Sequence, residues 1–333
     1  MAKVNWGIIG CGNIAHTFAK SIAHCADAQL IGAASTSEQR ANEFATHYSI
    51  KGYESYQALM QCPNIDAIYI ANTHDQHFQS IAQCLMHNKH VLSEKPITVN
   101  AQQLKNLTAL AKQKNCFLME GVWMRFFPAI IKLEQLLSEA AIGKVHTVQA
   151  NFSLPGTFAN THRLMNPNTA GGALLDLGIY PLSIADVVFN KAPEKISSFV
   201  HKADTGVDAR NITMLDYGNG QFAQLSSALE QNGPTEACIT GEHGFIHIPW
   251  FVGAKGLELH INGQAIQHFD YPFSDDENFK FEIDHVTECI LNKQIQSSVL
   301  PLNTSLRVMA MMDTLRAQWQ IEYSATVESH DIN

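Results

Sequence analysis

A glycine-rich turn near the start of the chain constrains the fold more than any other feature. The apolar run 4–9 leads into Gly10–Ala15, which has the pattern G-x-G-x-x-A, and a helix-like stretch continues to about His24. Small residues in this strand–turn–helix context allow a tight turn and a close approach to a ligand, and the helix N-terminus offers free N–H groups. The pattern predicts a site for a dinucleotide pyrophosphate, formed by Gly10, Gly12, Asn13 and Ile14.

The end of the second predicted strand, 29–34, bears on the choice of cofactor. It carries no carboxylate that would bind the ribose 2′-hydroxyl of NAD. Hydroxyl groups and an arginine follow instead, at Ser35, Thr36, Ser37 and Arg40. These groups suit the 2′-phosphate of NADP, so the sequence favours NADP. NAD stays an alternative, because Glu38 could reach a ribose and Arg40 could be a solvated helix residue.

Strand-like and helix-like segments alternate through the first third of the chain. The runs 66–71, 90–95 and 116–119 are typical of strands, and Asn100 is a suitable N-cap for the helix before the last of them. Repeated units of this length imply a parallel sheet covered on both faces. We therefore expect a doubly wound, Rossmann-type α/β domain over residues 1–121.

A lysine stands directly before a proline in Ser93-Glu94-Lys95-Pro96, at the end of an apolar run. Proline favours extended geometry at the preceding residue, so Lys95 would point from a strand end towards the crevice where open α/β sheets bind ligands. The alternative is a surface lysine in a turn. The strand 66–71 ends in Asn72 and Thr73, and His77, one turn later, could line the same crevice or simply cap a helix.

The joint after the first domain is aromatic and basic. Trp123 and Arg125 lie in it, and they could face a ligand, since clefts at domain interfaces are favoured ligand sites, or form a hydrophobic hinge. Phe152, in a predicted strand 144–153, is an aromatic surface available for stacking or for the core. Arg163 lies in the extended loop that follows.

An acidic and a phenolic side chain share one face of an apolar helix that begins near Ala173. Asp176 and Tyr180 are four residues apart, which places both on one helical face. Buried polar groups of this kind need partners. They form either a mutually bonded core pair or one wall of an active site.

The rest of the second part predicts a second architecture. From about 196 to 270, strand-like runs are joined by short turns such as Asn262-Gly263, which is typical of a largely antiparallel sheet. Such a sheet, with helices on one face, leaves the other face to be covered, most simply by a second copy of the chain. We expect an α+β substrate-binding and dimerisation domain over residues 122–333, whose final helix could pack back on the first domain.

Composition narrows the class of protein. The net charge of −9, without a basic run, argues against nucleic acid and anionic membranes as partners. No apolar stretch long enough to span a bilayer is expected, and the N-terminus enters a strand without a secretory leader. Seven dispersed cysteines indicate reduced thiols in a cytoplasmic protein. No metal-type spacing of His and Cys is present.

Taken together, the motifs resemble those of the glucose–fructose oxidoreductase, inositol dehydrogenase and MocA family. The resemblance rests on Gly10–Ala15, Glu94-Lys95-Pro96, and Gly171-Gly172 followed by Asp176, and it spans most of the chain. Many members carry a histidine four residues after the aspartate. Tyr180 at that position resembles the branch with dimeric dihydrodiol dehydrogenase and NADP-linked xylose dehydrogenase.

The resemblance implies an NAD(P)-dependent dehydrogenase that is a homodimer and acts on a small polyhydroxylated substrate, either an aldose such as xylose or a cyclic trans-dihydrodiol. Lys95 would be the catalytic lysine, beside Glu94 in the cofactor pocket. Asp176 and Tyr180 would face substrate, with Asn72 and His77 near the nicotinamide ribose. Tyr180 would exchange the substrate proton while Lys95 tunes or shares it, or the reverse.

Three other functions stay open from the sequence. One is a sugar–sugar oxidoreductase that keeps NADP bound through both half-reactions. Another is a non-enzymatic NAD(P)-sensing regulatory protein, which the joint presence of Lys95, Asp176 and Tyr180 disfavours. The third is an imine or biliverdin-type reductase, which would not need all three side chains.

Overall fold

The computed structural model describes residues 3–332. The chain forms two compact units, each built from separate stretches of sequence. The first unit consists of Met1–Trp123, Phe273–Leu306 and Ser329–Asn333. The second consists of Met124–Pro272 and Arg307–Glu328.

The first unit contains a six-stranded, fully parallel sheet in the order β3-β2-β1-β4-β5-β6. The strands are β1 Val4–Ile9, β2 Ala28–Ala34, β3 Lys51–Tyr53, β4 Ala67–Ile70, β5 His90–Glu94 and β6 Leu118–Gly121. The helices between them are α1 Asn13–Ile22, α2 Glu38–Tyr48, α3 Tyr56–Met60, α4 His74–Met86 and α5 Ala101–Lys114. β4 and β6 are buried along their whole length, as strands covered on both faces must be. This order is that of a Rossmann sheet, which confirms the predicted doubly wound class.

The second unit contains an eight-stranded sheet in the order β14-β13-β12-β11-β7-β10-β9-β8. Its strands are β7 Val145–Ser153, β8 Lys195–Lys202, β9 Asp208–Asp216, β10 Phe222–Ala228, β11 Glu236–Gly241, β12 Gly244–Pro249, β13 Gly256–Ile261 and β14 Gln267–Asp270. Every pairing is antiparallel except that of β7 with β10. Buried and exposed residues alternate along β9, so one face of the sheet meets the core and the other is open. The expected large, mostly antiparallel open sheet is confirmed.

The helices α6 Pro128–Ser138 and α7 Ile179–Phe189 belong to the second unit. Later in the chain come α8 Lys280–Leu291, α9 Leu302–Trp319 and α10 Ala325–Glu328. α7 packs against β7 and β10, on the covered face of the open sheet.

The first stretch of the first unit ends at Trp123, two residues after the boundary expected at residue 121. A single boundary does not describe the chain, however, because residues 273–306 return to that unit. There α8 packs against α1 and β1. The terminal segment also returns, and the side chain of Gln103 on α5 donates to the carbonyl of Ser329 at 2.8 Å.

One helical run is long and apolar enough, by length and composition, to cross a membrane, which corrects the expectation that no such stretch exists. It is Pro167–Phe189, and 83% of its most apolar window is buried inside the structure. A helix that is apolar all round is typical of a protein core as well as of a membrane span. Since α7 is covered by the sheet of its own unit, we interpret this run as a core helix.

Candidate active site

The glycine-rich turn has the geometry that a dinucleotide site needs. Gly10 has φ +94°, and a Cβ there would lie 2.7 Å from the backbone carbonyl of Ala71, so a larger residue does not fit. Gly12 is the N-cap of α1 and provides no side-chain cap, and a Cβ built on it meets nothing within 4 Å. The space beside Gly12 is therefore open next to the first turn of α1, where the N–H groups of Asn13 and Ile14 have no intrahelical partner. This arrangement fits a pyrophosphate.

The end of β2 carries the cluster expected for the adenosine ribose or its phosphate. Arg40 is exposed, and its guanidinium donates to the Thr36 hydroxyl at 2.8 Å. The hydroxyl of Ser37 caps α2 by accepting from the backbone N–H of Arg40. Ser35 is buried at the strand end. Hydroxyl and guanidinium donors without a carboxylate at the strand tip fit a phosphate better than a ribose diol.

The Glu94–Pro96 turn is held from several sides. The Tyr69 hydroxyl on β4 donates to the Glu94 carboxylate at 2.5 Å. The backbone N–H of Ile97, just after the turn, donates to the Glu120 carboxylate at 2.9 Å. The Lys95–Pro96 peptide bond is cis, and the Lys95 side chain is half-buried. The backbone that carries the lysine is therefore fixed by side chains from β4 and β6.

His77 is fully buried, with its ring between two loops. Nδ1 lies 2.8 Å from the carbonyl oxygen of Pro96, and Nε2 lies 3.2 Å from that of Asn72. Burial lowers the pKa of this imidazole to about 3, so the ring is neutral. His77 thus joins the end of β4 to the Lys95–Pro96 turn, a role that spacing alone could not separate from a cap. Asn72 donates to Ser80 at 2.8 Å, and Thr73 is the N-cap of α4 without a side-chain cap.

In the second unit, Asp176 is paired with an arginine from the preceding loop. The Arg163 guanidinium lies 3.1 Å from the carboxylate, whose side chain is 7% exposed whereas that of Arg163 is 48% exposed. The loop and the helix therefore form a pair in which the acid is buried and the cation reaches solvent. Arg163 and Asp176, both expected to meet substrate, lie together.

Asp176 lies in a turn that the sequence did not predict. Leu174–Gly178 form a π-helical turn before α7, where a regular helix was expected. Pro181 near the start of α7 provides a physical reason, since it lacks an N–H and its ring clashes with the carbonyl four residues earlier. Wide turns of this kind occur frequently at functional sites. Asp208 accepts from the backbone N–H of Leu174 at 2.7 Å and so fixes the start of this turn.

Tyr180 lies among aromatic side chains of the same unit. Its ring centroid is 5.5 Å from that of Phe152 on β7, in an edge-to-face arrangement. The ring of Trp250 is 6.4 Å from Phe152 and 57% exposed. Sequence reasoning missed Trp250, although a tryptophan directly after a strand end was a usable signal. An apolar wall beside a phenol suits a flat or ring-shaped substrate.

The residues of the joint lie in different surroundings. Trp123 contacts Phe279 in the first unit, with ring centroids 4.9 Å apart. Arg125 is buried in the second unit, 3.2 Å from Asp186 on α7, and Arg307 also binds that carboxylate. The structure therefore gives Arg125 a buried ion pair, and its contact with substrate stays a prediction. The reason is that Asp186, buried on α7, needs a cation.

Comparison with known proteins agrees with this geometry. Residues 4–122 match the model of the GFO/IDH/MocA oxidoreductase family, NAD-binding Rossmann fold, and residues 130–247 match the GFO/IDH/MocA C-terminal domain. A trans-1,2-dihydrobenzene-1,2-diol dehydrogenase of Xenopus tropicalis is 34% identical over 331 residues, covering 96% of this chain and 98% of the relative. The chain belongs to the GFO/IDH/MocA oxidoreductase family. The resemblance drawn from the motifs is confirmed.

Other members of the GFO/IDH/MocA family are similar along nearly their whole length. A D-xylose 1-dehydrogenase (NADP(+)) of Hypocrea jecorina is 31% identical, covering 96% of this chain and 93% of the relative. A 3-ketoreductase from Actinomadura kijaniata, solved with NADP and TDP-benzene, has TM-score 0.84 at 24% identity, covering 95% and 97% of the two chains. An aldose-aldose oxidoreductase from Caulobacter crescentus has TM-score 0.86 at 20% identity, covering 96% and 98%. These two structures establish the shared fold.

Proposed function

We propose that this GFO/IDH/MocA oxidoreductase is an NADP-dependent dehydrogenase that acts on a carbinol carbon of a small polyhydroxylated substrate. The substrate class is an aldose such as xylose or a cyclic trans-dihydrodiol. The observation that carries the proposal is the Asp176–Tyr180 stretch, where a buried carboxylate is followed four residues later by a phenol that lies beside the Phe152 ring. A carboxylate binds sugar or diol hydroxyls, and an aromatic ring packs on the apolar face of a ring-shaped substrate. Relatives at 34% and 31% identity act on substrates of these two kinds.

NADP is favoured over NAD by the end of β2. Arg40, with Thr36 and Ser37, would hold the 2′-phosphate, and the first turn of α1 would hold the pyrophosphate. When bound, the nicotinamide ring would accept a hydride from the substrate carbon. NAD stays the alternative, since Glu38 is exposed near the same strand end.

The chain's own residues would then handle the proton. Oxidation of an alcohol carbon needs one proton removed from its oxygen by a base within hydrogen-bond reach. We assign this exchange to Tyr180 and assign Lys95 to tuning or sharing that proton. Asp176, whose charge Arg163 balances, would bind a second substrate hydroxyl. Asn72, Thr73 and Glu94 would line the cofactor pocket, while Trp123, Phe152 and Arg163 would contact substrate.

A spectrophotometric screen tests the function directly. Aldoses and cyclic trans-diols are supplied with NADP and NAD in parallel, and absorbance of the reduced nicotinamide is followed. We expect turnover with at least one substrate of these classes and a higher kcat/KM with NADP. Absence of reduction with every sugar and diol under both cofactors would overturn the proposal, and equal or better use of NAD would overturn the cofactor assignment.

We further propose that the chain forms a homodimer through the open face of its eight-stranded sheet. Phe199 on β8, Ile212 and Met214 on β9, and Phe222 on β10 project from that face, and Phe199 is 82% exposed. A groove of about 450 Å³ beside them is bordered by Asn151 and Arg210. A contiguous apolar patch rimmed by polar groups is typical of a protein interface, and a sheet face with two-fold symmetry can cover itself.

We infer that the enzyme works in the cytoplasm. All seven cysteines are free thiols, which suits a reducing compartment. Fractionation of cells that make the protein, followed by immunoblotting, checks this inference.

A further inference from the structure

A glutamate in the first unit is buried without any hydrogen-bond partner. Glu282 on α8 has no exposed surface, and neither of its carboxylate oxygens has a partner among the residues that the structure describes. Burying an ionised carboxylate in this way is very costly, so such a group stays protonated. Desolvation raises its pKa well above the ordinary value.

The surroundings of Glu282 are apolar and aromatic. Phe279 lies one turn earlier and Ile283 and Val286 follow, all three buried in the core of the unit. Phe279 contacts both Phe18 and Tyr69, whose rings stack 3.9 Å apart. The two phenylalanine rings offer no hydrogen-bond donor, and the Tyr69 hydroxyl donates to Glu94 rather than to Glu282.

Among the titratable groups in residues 3–332, the negative charge of Glu94 is the one that raises the pKa of Glu282 further. Glu94 is itself buried, accepts from Tyr69, and lies with Oε2 at 3.3 Å from the backbone N–H of Lys95. Two neighbouring buried carboxyl groups cannot both ionise cheaply, and they titrate as a pair. Glu94 accepts from the Tyr69 hydroxyl and from the Lys95 N–H, and donors of this kind favour the ionised form of a carboxyl group.

The other titratable groups that the structure describes on α8 and α1 have partners of their own or face solvent: His285 lies 2.7 Å from the Ser297 hydroxyl, and Glu288 is exposed. Lys280 on α8 pairs with Asp284 at 2.6 Å, and Lys20 on α1 pairs with Asp276 at 3.2 Å. His16 on α1 hydrogen-bonds Tyr48. β1 and β2 carry no acidic or basic side chain. The charge state of Glu282 is therefore set by burial and by Glu94.

We propose that Glu282 is a positioning residue for Lys95 that acts through Glu94. As a neutral acid, it keeps one negative charge on the Glu94–Glu282 pair. That charge stays on the carboxylate that Tyr69 holds at the base of Lys95. Loss of the Glu282 proton would place a second charge in the apolar layer, repel Glu94 and disturb the turn. The consequence for turnover rests on the proposed function, but the pairing of the two carboxyl groups does not.

The test is a double-substitution cycle on the protein without cofactor or substrate. Thermal unfolding is followed from pH 5 to pH 9 for wild type, Glu282→Gln, Glu94→Gln and the double variant. The wild-type midpoint should fall with rising pH relative to Glu282→Gln, because the unfolded chain releases the Glu282 proton near pH 4.5 while the folded one retains it. The expected shift is on the order of 2 °C for each unit by which the pKa is raised.

The cycle separates a pair from two independent residues. In the wild-type background, Glu94→Gln should reduce the fall of the unfolding midpoint with rising pH. In the Glu282→Gln background, the same substitution should leave the pH dependence of the midpoint unchanged. Glu288→Gln, exposed on the same helix, is the matched control and should follow wild type. Parallel wild-type and Glu282→Gln curves, or additive effects of the two substitutions, would overturn the pairing.

A second readout follows Lys95 itself. The rate of acetylation of Lys95 by acetic anhydride is measured by peptide mass spectrometry between pH 7 and pH 10, with Lys195 as an exposed reference. As the pH rises, the acetylation rate of Lys95 in wild type should fall further and further below that of Lys95 in the Glu282→Gln variant. Superimposable curves would refute the positioning role. Neither readout needs dehydrogenase activity, so failure here is distinguishable from failure to find a substrate.

Discussion

Tyr180 and Lys95 carry the chemical part of the proposal, and each has a conservative replacement. Tyr180→Phe keeps the ring against Phe152 and removes the hydroxyl. We expect kcat to fall by roughly 10²–10⁴, the usual contribution of general acid–base catalysis, with a smaller change in KM. Lys95→Met should lower kcat similarly. Steady-state kinetics on the best substrate measures both.

The matched control for this pair is Tyr217→Phe. The Tyr217 hydroxyl is buried without a hydrogen bond among the described residues, so its removal should leave kcat close to wild type. If Tyr180→Phe or Lys95→Met turns over at the wild-type rate, the assigned roles are wrong.

The two glycines of the first turn should respond differently to a methyl group. Gly10→Ala places a Cβ against Ala71 at positive φ, so we expect a loss of stability of about 1–3 kcal/mol. Gly12→Ala meets no neighbour, so the fold should keep its stability, but the methyl would occupy the approach of a pyrophosphate. Denaturant unfolding and NADP titration check the pair. Unimpaired NADP binding by a folded Gly12→Ala variant would place the cofactor elsewhere.

Single residues also show what the sequence could and could not reveal. Gly10 was identifiable because its positive φ and its close approach to Ala71 require a glycine, whereas Gly12 and Lys95 were singled out by the motifs that contain them. The ion pair of Arg125 with Asp186 was not, because the two residues are 61 positions apart and nothing in the joint specifies a partner. The same limit applies to Trp250 beside Phe152, which requires the order of β7, β11 and β12.

At the scale of elements, the start of the helical run that carries Asp176 and Tyr180 depends on Asp208. Burial raises the Asp208 pKa to about 7, and hydrogen bonds from Leu174 and Asn211 oppose that rise. The folded state therefore holds a proton that the unfolded chain releases near pH 4. Stability from this group is complete below about pH 4 and is lost as the pH rises to about 7.

Asp208→Asn should abolish this contribution. The free energy of unfolding, measured with urea between pH 4 and pH 8, should depend less on pH in the variant than in wild type. The difference between the two proteins over this range should be about 1.4 kcal/mol for each unit by which the Asp208 pKa is raised. Asp204→Asn, exposed in the preceding turn, is the control and should keep the wild-type slope. Identical slopes for Asp208→Asn and wild type would show that Asp208 is ionised in the folded protein.

Strands and helices were predictable from the sequence where they are long enough to show a hydrophobic pattern or a cap. β1, β4 and β5, with α5 behind its Asn100 cap, were expected, since buried apolar runs and caps are local signals. β3 has three residues and no such signal. The π-helical turn at Leu174–Gly178 was not expected either, because a proline in the sequence permits a kink, a break or a wide turn.

At the scale of the whole molecule, the open sheet face allows a test of assembly. Phe199→Asp combined with Ile212→Asp should convert a dimer into a monomer, because two charges would be buried in the interface. Light scattering coupled to size exclusion measures the mass. Ile131→Asp, an exposed apolar residue on α6, is the control and should not change it. A wild-type protein of 36.8 kDa in solution would end the dimer proposal.

The first unit is discontinuous in sequence, and this affects how it is made and how it can be exchanged. Its sheet ends at residue 121, but α8, with Phe279 and Glu282, is translated some 150 residues later. During synthesis, the nucleotide-binding half therefore waits on the ribosome without part of its core until residue 306 has emerged. A chimaera that transplants residues 1–123 alone into a relative would inherit a foreign α8. A graft intended to change cofactor preference must carry both segments.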